Sequence, residues 1–143
     1  MSLEKVKQYF TSLGLENNVL EFSQSSATVE LAAKALGCEE ARIAKTLSFM
    51  IDEKPVLIVT AGDVKIDNAK YKSTFHVKAK MLKFEEVEPL TGHAVGGVCP
   101  FAVNEGVKVY YRISIVIHLF DILVIKKITE CKNFSVLSLV DSK

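Results

Sequence analysis

The sequence predicts one domain of the α/β (α+β) class. Three observations carry that expectation. Apolar residues recur at helical spacing over residues 2–13 and 28–37, a strand–turn–strand pattern fills residues 46–61, and a glycine-rich loop at residues 91–101 divides a short helix from a further strand. At 143 residues the chain is long enough to bury a core without metal or disulfide support, and no repeat, linker or low-complexity tract divides it, so residues 1–143 are read as one unit.

Taken in order, Leu3, Val6, Phe10 and Leu13 place one apolar face on a helix over 2–13, which Gly14 stops. A polar stretch, Ser23 to Thr28, leads into a second helix. Thr28 is its N-cap, Glu30 sits in its first turn, Val29, Ala32, Ala33 and Leu36 face inward, and Gly37 ends it. A helical turn over 39–44 precedes a hairpin of strands 46–51 and 56–61, with Asp52 to Pro55 as the turn. Lys45 stands at the hairpin's entrance, its stem among apolar neighbours and its ammonium at the sheet's end. That position suits a fixed point charge for a phosphate or carbonyl oxygen, and it equally suits a lysine that merely reaches out to water.

After Gly62-Asp63, Asp67 caps a helix over 68–73. Lys65, Lys70, Lys72, Lys78, Lys80 and Lys83 form a local basic excess, to be weighed as a phosphate contact or as a solvated face. Residues 84–90 form a short acidic helix, and Val107 to Tyr110 a strand. From Val107 to Lys143 there is neither glycine nor proline, and no local pattern divides this stretch into elements.

Charge and cysteine usage bound the partners. Eighteen basic and 17 acidic residues leave a net charge of +1, so nucleic acid would have to be held by a local patch rather than a global field. Cys38, Cys99 and Cys131 are odd in number and lack CxxC spacing, and Met1 to Lys5 carries no leader pattern, which together predict a reducing cytoplasm. The most apolar run, Ile113 to Ile125, contains His118 and Asp121 and is too short to span a membrane.

The chemistry concentrates in Thr91-Gly92-His93-Ala94-Val95-Gly96-Gly97-Val98-Cys99-Pro100-Phe101, which holds three of the seven glycines and one of the three prolines. Gly96 and Gly97 allow main-chain N–H groups close to a ligand, and Pro100 fixes the chain's exit. A tight surface connection is the other reading of such a loop. His93 and Cys99 invite a nucleophile-and-base reading, set against an inert buried thiol. One His and one Cys six apart make no zinc ligand set.

Taken together, Ala41-Arg42-Ile43-Ala44-Lys45-Thr46-Leu47-Ser48-Phe49, Gly62-Asp63, Lys78-Ala79-Lys80 and the 91–101 loop resemble the YbaK/ProX family, free-standing relatives of the editing domain inserted in bacterial prolyl-tRNA synthetases. The resemblance spans roughly residues 3–110. It implies a mixed, barrel-like β-sheet flanked by helices and an aminoacyl-tRNA deacylase that needs no cofactor or metal. The implied partner is mischarged tRNA, commonly tRNA for proline carrying alanine or cysteine and gripped at its CCA end, with prolyl-tRNA synthetase a candidate second partner. By position, Lys45 matches the lysine that holds the substrate's 3′ end, and Gly96, Gly97 and Pro100 match the loop whose main chain faces the scissile carbonyl. Thr46, Thr91 and Gly92 match the family pattern with less defined roles, and Phe22 and Ser26 fall where the amino-acid pocket is shaped. The resemblance also implies that the substrate's own ribose hydroxyl positions or activates water. From Tyr111 onward the family's glycine-containing loop is missing, so residues 111–143 are atypical. A non-catalytic module that binds tRNA ends or a small ligand on the same fold is the alternative this departure raises.

Overall fold

A computed structural model describes residues 2–19, 21–25, 27–112 and 134–137; Ser26, Cys131 and the apolar run 113–125 lie outside them. Local chemistry explains most element ends. Helix α1 covers Ser2–Ser12 and α2 covers Val29–Leu36. At the start of α2, Thr28 Oγ1 accepts from Leu31 N–H at 3.2 Å, and at its end Gly37 takes the left-handed conformation, φ 64°. The helical turn after it is a single 3-10 turn, Glu40–Arg42.

Strands β1 (Ala44–Ile51) and β2 (Lys54–Ala61) form the predicted hairpin with a tighter turn than expected. Asp52 and Glu53 alone make it, both at positive φ, 47° and 63°. Such a pair matches the right-handed twist of the strands it joins, so Pro55 is free to sit inside β2 opposite Met50. Helix α3 runs Asn68–Phe75 behind Asp67, whose Oδ1 accepts from Ala69 N–H and Lys70 N–H at 2.9 and 3.0 Å. Helix α4 covers Phe84–Thr91 and stops at Gly92, φ 86°. Strand β3 is Lys108–Arg112 and β4 is Phe134–Leu137.

The sheet is mixed, as expected, in the order β1-β2-β3-β4. The β1–β2 pair is antiparallel and the two pairs that follow are parallel. Among the described residues no ladder joins β4 back to β1 to close a barrel. Instead residues 80–82 extend the β1 edge, with Met50 N–H donating to Lys80 O at 2.8 Å and Leu82 N–H to Ser48 O at 3.1 Å.

Strand β2 is apolar on both faces because both are covered. Leu57 and Val59 join Val107, Val109 and Tyr111 on one side; Val56 and Ile58 join Phe49 and Tyr71 on the other. Helix α3 covers the second side through Tyr71, while Phe10 of α1 meets Phe101 edge-on at 4.9 Å and ties α1 to the glycine loop.

Candidate active site

Lys45 lies in β1 opposite Thr60, half-buried, and its Nζ reaches the end of the sheet to donate to Gly62 O at 3.1 Å. Gly62 in turn donates its N–H to Ile43 O at 2.7 Å. One residue at the end of β2, through its two flanking peptides, therefore holds both the entry of β1 and the ammonium. The lysine has three N–H donors and spends one here, and no carboxylate pairs with it among the described residues. Two donors have no partner among the described residues.

The 91–101 loop is fastened at both ends. Thr91 is fully buried, its Oγ1 donating to Val87 O at 2.7 Å and accepting from His93 N–H at 3.2 Å. Gly92 is required twice over: its φ is positive, and a Cβ there would stand 2.6 Å from Asn104 Oδ1. His93 is also fully buried, with Nε2 2.7 Å from Phe101 O, so that nitrogen carries the proton and donates. Cys99 Sγ lies 3.6 Å from the same carbonyl and 3.6 Å from the imidazole. Burial holds the His93 imidazole below its ordinary value and pushes the Cys99 thiol up. Nε2, the imidazole nitrogen next to Cys99, already carries a proton directed at Phe101 O and so cannot take one from the thiol, which leaves the pair as packing contacts at the loop's end. Pro100 is buried behind them.

Between these ends the loop is bare. Gly97 N–H closes a turn onto Ala94 O at 3.0 Å, and Gly96, exposed at φ 85°, has nothing within 4 Å of where a Cβ would stand. The Gly96 and Val98 N–H groups make no hydrogen bond among the described residues.

Lys45 and Gly96 line one cleft of about 760 Å³, formed by α2, the start of β1, residues 81–87 and the bare part of the loop. Phe22 and Thr46 line it too. Thr91, Gly92, Gly97 and Pro100 are not among its lining residues: they hold the loop in place, and the N–H of Gly97 is already committed to Ala94. Ser26 lies outside the described residues. The cleft also has walls that sequence reasoning passed over, namely the inner face of α2 through Ala32 and Leu36, the buried Ser48, and Arg42 and Phe84 at its mouth. Arg42, three residues before Lys45, stood in the quoted block without a role. Arg42 and Lys45 are the charged residues that line the cleft among those described, and no His, Cys, Asp or Glu does so.

Residues 23–123 match the aminoacyl-tRNA editing domain family. The chain belongs to that family. This editing-domain chain is 50% identical over 116 residues to the "Uncharacterized protein YwhH" of Bacillus subtilis, covering 80% of this chain and 74% of that one. It is 31% identical over 91 residues to the "Putative Cys-tRNA(Pro)/Cys-tRNA(Cys) deacylase EbsC" of Enterococcus faecalis, covering 62% and 56% of the two chains. Among solved structures it resembles one titled "Crystal structure of a putative trans-editing enzyme for prolyl tRNA synthetase". That likeness has a TM-score of 0.71 at 29% identity and covers 80% of this chain and 73% of the other. The editing domain thus accounts for the fold, a small mixed sheet flanked by four helices. Among the described residues no helix is long and apolar enough to cross a membrane.

Proposed function

We propose that the chain is a trans-acting deacylase that hydrolyses the ester of mischarged tRNA, with tRNA for proline carrying alanine or cysteine as the substrate class. One observation carries the reading: a cation and a bare stretch of main chain, distant in sequence, line a single cleft whose charged lining is wholly basic among the described residues. About 760 Å³ falls within the roughly 300–1,000 Å³ of small-ligand sites and suits a terminal nucleoside with its ester.

In this reading the two remaining N–H donors of Lys45 hold phosphate or ribose oxygens of the 3′ end. The ester carbonyl points at the Gly96–Val98 main chain, where unspent N–H groups meet the negative charge that develops on its oxygen. Each such donor is worth about 3–4 kcal/mol of transition-state stabilisation. Water adds to the carbonyl carbon, the bond to the ribose oxygen breaks, that oxygen takes a proton, and the free amino acid leaves. With no side-chain base among the described lining residues, the vicinal ribose hydroxyl is the group placed to orient the water. The same lack of a base favours a second reading, a module that binds tRNA ends without hydrolysing them. The solved structure whose title names prolyl tRNA synthetase supports that synthetase as a working partner, in the cytoplasm where tRNA is charged.

Deacylation of a panel of mischarged tRNAs separates the two readings. The deacylase reading expects turnover of at least one member, and a Lys45→Ala loss of about 10- to 100-fold in kcat/KM, the worth of a charge-assisted contact of roughly 1.5–3 kcal/mol. Binding of the panel without turnover of any member would establish the binding module.

A further inference from the structure

Lys45 also lines a second, smaller chamber of about 320 Å³. Strand alternation explains why the two chambers meet there. Lys45, Leu47 and Phe49 lie on one face of β1, and that row forms the floor of the small chamber. Lys45, Leu47 and Met81 line both chambers. Met81 is 56% exposed, and with Phe22, Leu36, Phe84 and Val95 it makes a group of exposed apolar side chains along the larger cleft.

The remaining wall comes from the segment joining β2 to α3. Lys65, exposed to solvent, faces in from one side, and Asn68 offers both an amide donor and a carbonyl acceptor. The acids of that segment do not line the chamber, and Asp67 is committed to capping α3. Arg42, Lys45 and Lys65 thus mark a path through both chambers on which no carboxylate intrudes among the described lining residues, in a chain whose net charge is only +1. A local basic path with an apolar side chain bared at its middle matches a single polynucleotide strand, whose phosphates want cations and whose base faces want apolar surface.

We propose that the 320 Å³ chamber is a subsite for the penultimate nucleotide of a single-stranded 3′ end, with Lys65 on its phosphate, Asn68 at the base edge and Met81 against the base face. The proposal rests on the deacylase reading for its choice of ligand, but it is tested without hydrolysis. Fluorescence anisotropy measures binding of a labelled C-C-A trinucleotide to the full chain, with adenosine monophosphate as competitor. Lys65→Ala is expected to weaken the trinucleotide roughly three- to ten-fold and to lower its log–log salt slope by about 0.7, one phosphate on a single strand. The monophosphate, which fills only the larger chamber, keeps its affinity. Lys65→Arg restores trinucleotide binding, and Lys45→Ala weakens both ligands because Lys45 walls both chambers.

Equal loss of both ligands on Lys65→Ala, no loss of either, or failure of the wild type to bind the trinucleotide overturns the subsite. A chain that binds the trinucleotide through Lys65 yet hydrolyses no charged tRNA overturns the deacylase reading and leaves the subsite standing. Hydrolysis that is indifferent to Lys65, with trinucleotide binding equally indifferent, does the reverse.

Discussion

Replacing Gly62 by alanine tests how the cleft is held open. Its φ lies outside the left-handed region, so the backbone alone does not demand glycine there. Space does. A Cβ at residue 62 would stand 2.4 Å from Glu40 O and 2.4 Å from Val29 Cγ1, where ordinary contacts need about 3.5–4.0 Å between carbons. Val29 can turn away at some cost to its rotamer. Glu40 O cannot, because it belongs to the 3-10 turn that delivers Arg42 and Ile43 into β1. Relief therefore requires separating the end of β2 from that turn by about 1 Å, which strains the Gly62 N–H···O Ile43 bond and draws Gly62 O away from Lys45 Nζ. Overpacking of this kind costs roughly 1–3 kcal/mol, and an unyielding backbone obstacle puts Gly62→Ala near the top, about 2–3 kcal/mol. For a chain of this size that lowers the melting temperature by roughly 6–12 °C. Gly14→Ala is the control: its φ is 68° with nothing within 4 Å, so it bears left-handed strain alone, about 1 kcal/mol. Thermal unfolding followed by circular dichroism ranks the two, and deacylation follows the site. If Gly62→Ala melts no lower than Gly14→Ala and keeps its kcat/KM, the claim that Gly62 holds the entry of β1 and the Lys45 ammonium in place is wrong.

Further outcomes follow from the loop. Gly96→Ala is expected to stay folded with a stability loss of about 1–2 kcal/mol, because its methyl meets open space, while deacylation falls at least ten-fold as that methyl enters the cleft; kinetics beside a melt show both. The folded chain holds His93 neutral with its value depressed by burial, and Nδ1 has no partner to receive a second proton's bond. The unfolded chain then binds that proton first, so this contribution to stability is complete above the ordinary histidine value of 6.5 and is lost as pH falls through the lower folded value. Melts from about pH 7.5 down to about pH 5 should decline more steeply for wild type than for His93→Gln, and parallel curves would contradict the assignment. Cys99, its thiol pushed up by burial, should label with iodoacetamide at neutral pH more slowly than Cys38 when peptides are resolved by mass spectrometry.

What the sequence revealed and what it hid divide along one physical line. Thr28, Gly37 and Asp67 bound helices by groups within a few residues of themselves, so their effect was legible in the chain. Strand β1 begins at Ala44 rather than Thr46 because Ala44 pairs with Ala61, a partner that local pattern does not name. Helix α3 continues past Ser73 to Phe75 because the Phe75 ring packs on Tyr71 at 4.8 Å and on Tyr110 at 5.2 Å. Strand β4 had no turn residues to announce it, and its parallel pairing with β3 is likewise non-local. At the candidate site, Lys45 and Gly96 were singled out by the family resemblance, while residue type alone left each with two readings; they line one cleft. Arg42 and Lys65 were singled out by nothing local, since only their place among the described lining residues of the two chambers distinguishes them from other basic residues.

The loop shows why counting glycines overstates a binding site. Gly92 needs its freedom because Asn104 and a positive φ leave no room for a side chain, and Gly97 closes a turn. Gly96 alone of the three lines the cleft. The other two do indirect work: they let Thr91, His93 and Pro100 bury themselves, and those buried contacts fix where the Gly96 and Val98 N–H groups stand before any ligand arrives. An exposed N–H bonds water meanwhile, so keeping it unpaired carries little penalty, whereas the same group in the protein interior would cost roughly 1–3 kcal/mol. In the proposed deacylase, preorganisation is therefore produced at the loop's buried ends and used at its solvated middle. A loop with glycines throughout and no such fastening would have to order its N–H groups at the moment of reaction, which is the reorganisation that fixed donors avoid.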